Sequence, residues 1–202
     1  MNCECQQATK FADQKVLIIA LALNLTMFFV GLTAGIIAQS TGLIADSLDM
    51  LADASAYMLS LLAVGRGMRF KTTTAGLSRS LLLILGVGVL IDVGRRALLG
   101  SSPISTVIIS IACISLVVNS VVLYLLRSFR NGEIHLRATW IFTRADVIAN
   151  IGVILSGGLI ALTKSRYPDL IVGFIISLYV IKEAFQILGE ARKTQLTTNN
   201  LV

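Results

Sequence analysis

The chain has little of what a water-soluble domain shows to its solvent. Only 14% of its 202 residues are charged, against about a quarter in ordinary globular chains. It has one histidine, two prolines and three cysteines. The lone histidine, His135, falls in a polar loop segment and reads as solvated, and no nucleophile and base lie paired within the apolar stretches. An enzyme is therefore not expected. Three cysteines give no disulfide framework. Cys113 sits inside an apolar run and reads as a small buried hydrophobe, while Cys3 and Cys5 supply two thiolates without a third ligand, a weak metal site. Aromatic residues make up 6% of the chain, few for the aromatic-lined cavity that an organic cation favours.

What is abundant is hydrocarbon. Hydrophobic residues form 55% of the chain and the mean hydropathy is +0.84, values of a polytopic membrane protein. At about 20 residues per span, the apolar runs predict six transmembrane helices over 16–38, 42–64, 78–99, 103–126, 138–163 and 168–189. The third is the weakest, because Arg79, Asp92, Arg95 and Arg96 intrude on it. The reading is an all-α membrane protein with one membrane domain over 16–189. Short tails at 1–15 and 190–202 flank it, the latter a frayed helix end followed by disorder. The first apolar run is too long for a signal-peptide core and lacks a cleavage site.

The net charge of +6 is spread over several loops, which argues against a nucleic-acid partner and for membrane topology. Lys10 and Lys15 precede the first span; Arg66, Arg69, Lys71 and Arg79 lie between the second and third; Arg127, Arg130 and Arg137 lie between the fourth and fifth; Arg192 and Lys193 follow the sixth. The opposite side holds Arg95, Arg96, Lys164 and Arg166. Both termini are expected in the cytoplasm, with the chain in the plasma (inner) membrane.

Against this background the intramembrane acids stand out. Asp46, Asp49 and Asp53 occupy i, i+3 and i+7 of the second span, one face of a helix. The fifth span carries Asp146, with Asn150 one turn later. Hydrocarbon does not solvate charge, so each acid must be paired, protonated or bound to a cation. At 1.5 Å rise per residue, Asp53 and Asp146 fall at roughly one depth, Asp49 and Asn150 at the next, and Asn24 of the first span beside the deeper pair. Asp46 comes nearer the outer boundary, where water reaches it. These residues are the candidate metal ligands. Asn119 reads as a helix-to-helix staple, and Asp92 and Asp169 as groups near span ends that attract cations or cap helices. The competing reading makes all the acids structural staples in a membrane subunit that transports nothing.

The segment LIADSLDMLAD resembles the second span of the cation diffusion facilitator family, L-x-x-D-A-x-[HD]-M-x-x-D, with Asp46, Asp49 and Asp53 in register. The family's fifth span carries H-x-x-x-D, and the matching positions here are Phe142 and Asp146. TRADVIAN is similar to small relatives with an S/T-R-x-D-x-x-x-N fifth span, which lack the usual cytoplasmic metal-binding domain. The resemblance implies a six-span transporter that exchanges a divalent metal for protons and forms a homodimer. It also implies that the ligand lost at Phe142 is replaced by an amide oxygen of Asn150 or Asn24.

An oxygen-rich site without imidazole suits manganese, iron(II), cobalt or zinc and disfavours copper(I). No resident cofactor is expected, since the metal is the cargo. Three carboxylates around a dication repel one another once it leaves, so protons compete for the same place, and a site opening alternately to the two sides couples the two fluxes. A proton-coupled exporter of organic cations needs intramembrane acids as well and is the alternative.

Overall fold

Long apolar runs without proline leave the backbone one way to satisfy its hydrogen bonds in hydrocarbon, and that way is helix. Six helices run through the described residues: α1 (Cys3–Ile37), α2 (Thr41–Leu62), α3 (Met68–Leu99), α4 (Ser105–Leu125), α5 (Ile134–Thr163) and α6 (Tyr167–Asn199). The computed structural model describes the backbone of residues 3–62, 68–127 and 134–199, and the side chains of 14–61, 76, 77, 80–127, 140, 143–182, 184 and 185. His135, Phe142, Cys3 and Cys5 have side chains outside that set.

The helices overrun the apolar segments. α1 begins at Cys3, and α6 continues to Asn199, where the sequence pointed to disorder. The overhangs ECQQATKFADQK and EARKTQLTTN hold Ala, Gln, Glu, Lys and Arg without glycine or proline, and extending a helix already nucleated costs little.

The surface is inverted relative to a soluble bundle, and polar groups are buried beside the apolar core. Phe29, Ile36, Ile84, Ile91, Val117, Ile148, Leu155, Ile171 and Phe174 face outward, while Asn24, Ser47, Asp46, Asp49, Asp53, Ser115, Asn119, Thr143, Asp146, Asn150 and Ser177 are buried. Apolar residues outside and polar residues inside suit a hydrocarbon solvent. The protein is an all-α membrane protein of six transmembrane helices. Among the described residues, Gln14–Ile37, Ser105–Leu125 and Thr143–Thr163 are long and apolar enough to cross a membrane by themselves. The other helices carry charge within their spans: Asp46, Asp49 and Asp53 in α2, Asp92, Arg95 and Arg96 in α3, and Asp169 and Lys182 in α6. Cys113 corrects its expectation. The buried stripe of α4 is Ile108, Ala112, Ser115, Asn119 and Val122, and one residue past Ala112 turns Cys113 about 100° away, to the outer surface.

Helix α2 is the centre of the bundle, packed on α1, α3, α5 and α6. At one end lie the connections α1–α2, α3–α4 and α5–α6. The helices that enter them stop in left-handed residues: Gln39 (φ 51°), Gly100 (φ 96°) and Lys164 (φ 55°). After α1 the Ser40 amide reaches the Gly35 carbonyl at 2.9 Å and the Gln39 amide the Ile36 carbonyl at 3.2 Å, the two bonds of a Schellman stop.

Helix α2 then restarts on two caps at once. Ser40 Oγ accepts from the Leu43 amide at 3.0 Å. Asp169, on α6, accepts from the Thr41 amide at 2.7 Å, Thr41 Oγ1 at 2.8 Å, the Gly42 amide at 3.1 Å and Ser40 Oγ at 2.5 Å. Asp169 is thus the helix cap that its position near a span end suggested. Capping from another helix requires close approach, and Gly173 permits it: a Cβ there would meet the Thr41 carbonyl carbon at 2.8 Å and the Gly42 nitrogen at 3.0 Å. The acids of α2 are therefore indexed against α6 from the helix's first turn.

Candidate cation site

On a helix advancing about 100° per residue, Asp46 and Asp53 are about 20° apart, whereas Asp49 stands about 60° round from Asp46. The i, i+3, i+7 spacing therefore presents Asp46 and Asp53 to one neighbour and Asp49 to its flank. That neighbour is α5, which offers Asp146 and Asn150 one turn apart. All five side chains are buried, as is Asn24.

The partners form two clusters. In the one toward the chain termini, the Asp53 and Asp146 carboxyls interact directly through their side chains. The Tyr57 hydroxyl donates to Asp53 Oδ2 at 3.0 Å and lies 2.7 Å from Thr143 Oγ1. A phenol has one proton, so with that proton on Asp53 the Thr143 hydroxyl is the donor to Tyr57. In the other cluster, Asn150 Nδ2 donates to Asp46 Oδ1 at 2.5 Å and Asn119 Nδ2 donates to Asn150 Oδ1 at 3.1 Å. Ser115, on the buried stripe of α4, lies near Asp46.

The depth count pairs Asp53 with Asp146, and the structure brings them together. It also pairs Asn150 with Asp49, but Asn150 bonds Asp46. The helical wheel gives the reason: Asp46 shares its face with Asp53, and Asp49 does not. Asp46, expected near water, is 3% exposed. Asn119, read as a staple, joins α4 to α5 through Asn150. Asn24 Nδ2 bonds the Ala20 carbonyl of its own helix at 3.0 Å, and its Oδ1 is buried without a hydrogen-bond partner. Asp49 is buried on the flank of α2. Among the described residues, no three His, Cys, Asp or Glu side chains converge closely enough to enclose one metal ion.

Tyr57, Thr143 and Ser115 were not singled out from sequence. Tyr57 lies one turn after Asp53 and Thr143 nearly one turn before Asp146, so scanning i±3 and i±4 from each intramembrane acid finds both. The Tyr57→Phe variant leaves Asp53 without that donor and Thr143 without its acceptor in a dry core. It is expected to cost about 1–3 kcal/mol of stability, read as a lower midpoint of thermal unfolding in detergent. An unchanged midpoint would remove Tyr57 from the cluster's energetics.

Chemically, the arrangement is a set of buried oxygen donors. Carboxyls face each other across α2 and α5 in a core with little water, where like charges repel strongly. A positive species between them, a proton or a metal cation, relieves that repulsion. A family model described as the cation efflux transmembrane domain matches residues 17–194. A search of curated proteins finds no match.

Proposed function

Because the chain belongs to the cation efflux family, whose members are cation transporters, we propose that it exports a divalent transition-metal ion from the cytoplasm in exchange for protons. The observation that carries this reading is the facing pair Asp53 and Asp146 on two different helices. Asp49 joins them as the third carboxylate. Asn24 Oδ1, buried and without a hydrogen-bond partner, and Asn150 are the amide oxygens available where Phe142 supplies no ligand. Asp46, tied to Asn150, forms the next polar step toward the end of the bundle that holds the α1–α2 and α5–α6 turns.

Charge supplies the coupling. Three ionised carboxylates around a dication leave one negative charge, and the same site without metal is neutralised by protons. Metal and protons therefore exclude each other. Loading draws Asp49 toward the Asp53 and Asp146 pair, and the Tyr57 bond to Asp53 yields as the carboxylate turns to the ion. Protons arriving from the far side restore the internally bonded arrangement. The donor set is hard to borderline, which places zinc, manganese, iron(II) and cobalt ahead of soft monovalent ions.

The distribution of basic loops supports termini in the cytoplasm of a cell whose plasma (inner) membrane holds the protein. A homodimer would form on α3, where Leu77, Leu81, Ile84 and Ile91 face outward and a Cβ at Gly88 would meet only open space. The test is uptake of Zn²⁺, Mn²⁺, Fe²⁺, Co²⁺ and Cd²⁺ into proteoliposomes with an acidic lumen. At least one ion is expected to accumulate in proportion to the imposed gradient, and to stop when an ionophore collapses it. Accumulation indifferent to the gradient would refute proton exchange. No movement of any ion by folded, inserted protein would refute the transport reading.

A further inference from the structure

Away from the acids, at the end of the bundle that holds the α1–α2, α3–α4 and α5–α6 turns, a pocket of about 300 Å³ opens between Ile36, Gln39, Arg95, Arg96, Gly100 and Ser101. Its chemistry is opposite to that of the cation site. Arg95 reaches Asp92 Oδ1 through Nε at 3.0 Å and Nη2 at 2.7 Å, and Arg96 pairs through Nε with Asp92 Oδ2. Arg166 stands over the rim: its Nη2 donates to the Ala97 carbonyl at 3.2 Å, and its Nη1 would lie 3.2 Å from a Cβ placed on Gly100. Glycine, needed there for φ 96°, also lets that guanidinium approach closely. Two guanidiniums share the Asp92 carboxylate and that of Arg166 stands nearby, an excess of two positive charges.

The excess is not spent within the protein. Arg96 is 7% exposed, yet its Nη1 has no hydrogen-bond partner, and neither do Ser101 Oγ or Arg166 Nε. Buried guanidinium N–H groups left unbonded are costly, and what satisfies them must be an acceptor, preferably an anion with several oxygens. Gln39 helps shape the floor, since its Oε1 accepts from the Ser102 amide at 3.2 Å. Beside the pocket, Leu98 and Leu99 are 87% and 79% exposed, so hydrocarbon begins where the arginines end.

We propose that this pocket binds a phosphate group, and that it comes from the headgroup of an anionic phospholipid whose acyl chains lie along Leu98 and Leu99. Neither the phosphate nor its source depends on which ion the protein carries. Phosphate oxygens would bridge Arg96, Arg166 and Ser101 and dock α3 to the turn between α5 and α6.

The full chain in detergent is heated with increasing phosphatidylglycerol, with phosphatidylcholine, or with inorganic phosphate. Phosphatidylglycerol is expected to raise the unfolding midpoint saturably, and Arg96→Gln and Arg166→Gln each to raise the half-saturating concentration about tenfold or more. Ser101→Ala keeps every ion pair, so it folds even if an arginine variant does not, and should weaken the response about threefold. The same saturable shift with inorganic phosphate alone would assign the pocket to free phosphate and overturn the lipid as source. No shift with either phosphate source, an equal shift with phosphatidylcholine, or variants that respond like the wild type would overturn the proposal.

Discussion

Asp53→Asn is expected to lower gradient-driven metal uptake by about 100-fold or more while leaving the protein inserted and folded. The substitution is nearly isosteric, and the amide oxygen still accepts the Tyr57 hydroxyl, which lies 3.0 Å from Asp53 Oδ2. What it removes is one negative charge from the pair with Asp146. A lost factor of 100 corresponds to about 2.7 kcal/mol, within the range for losing a single hydrogen bond to a charged group. A direct charged ligand to a dication in a water-poor core is worth at least as much. Uptake by proteoliposomes, normalised to protein retaining the wild-type unfolding transition, measures it. Asp46→Asn is the comparison. Asp46 is bonded to Asn150 on the turn side of the site, so its loss should slow uptake by a smaller factor, about tenfold. Wild-type flux through Asp53→Asn would remove Asp53 from the proposed site. Equal losses in both variants would extend it to Asp46.

The fold was legible because its signal is bulk hydropathy: six apolar runs separated by loops whose chemistry differs from theirs, with the predicted centres of all six spans inside the observed helices. Helix ends were less legible. Polar segments such as EARKTQLTTN have no membrane signal, and their helicity follows from an existing helix that they extend. At the site, sequence gave the positions of the acids but only half of their pairing. Depth along a span follows from counting residues. Which acid faces which neighbour depends on rotation about the helix axis, and here that rotation sets Asp46 rather than Asp49 against Asn150. Tyr57 and Thr143 are hard to read from sequence, because a tyrosine and a threonine in an apolar run look like packing unless a buried acid lies one turn away.

The second large effect concerns stability. Asp169→Ala is expected to destabilise the protein by about 3–5 kcal/mol, well beyond the 0.5–2 kcal/mol typical of a lost N-cap. An ordinary cap satisfies one orphan amide from within its own helix, whereas Asp169, 1% exposed, serves the Thr41 and Gly42 amides and two hydroxyls of a neighbouring helix. Truncation strands those donors in a space too tight for solvent to refill, because Gly173 brings α6 onto the Thr41 and Gly42 backbone. The carboxylate also sits at the positive end of the α2 dipole. Asp169→Asn keeps one acceptor but points an N–H₂ at a backbone N–H, so it should recover only part of the loss. Chemical or thermal unfolding in detergent measures both variants, and an Asp169→Ala midpoint equal to the wild type would show that the cap does not hold α2. The flux should fall in the same variant, for a different reason. With α2 free to slide or turn at its start, Asp46 and Asp53 lose their register against α5. A rise of only 1.5 Å per residue means that a shift of one residue would separate Asp53 from Asp146 while leaving every carboxylate in the sequence.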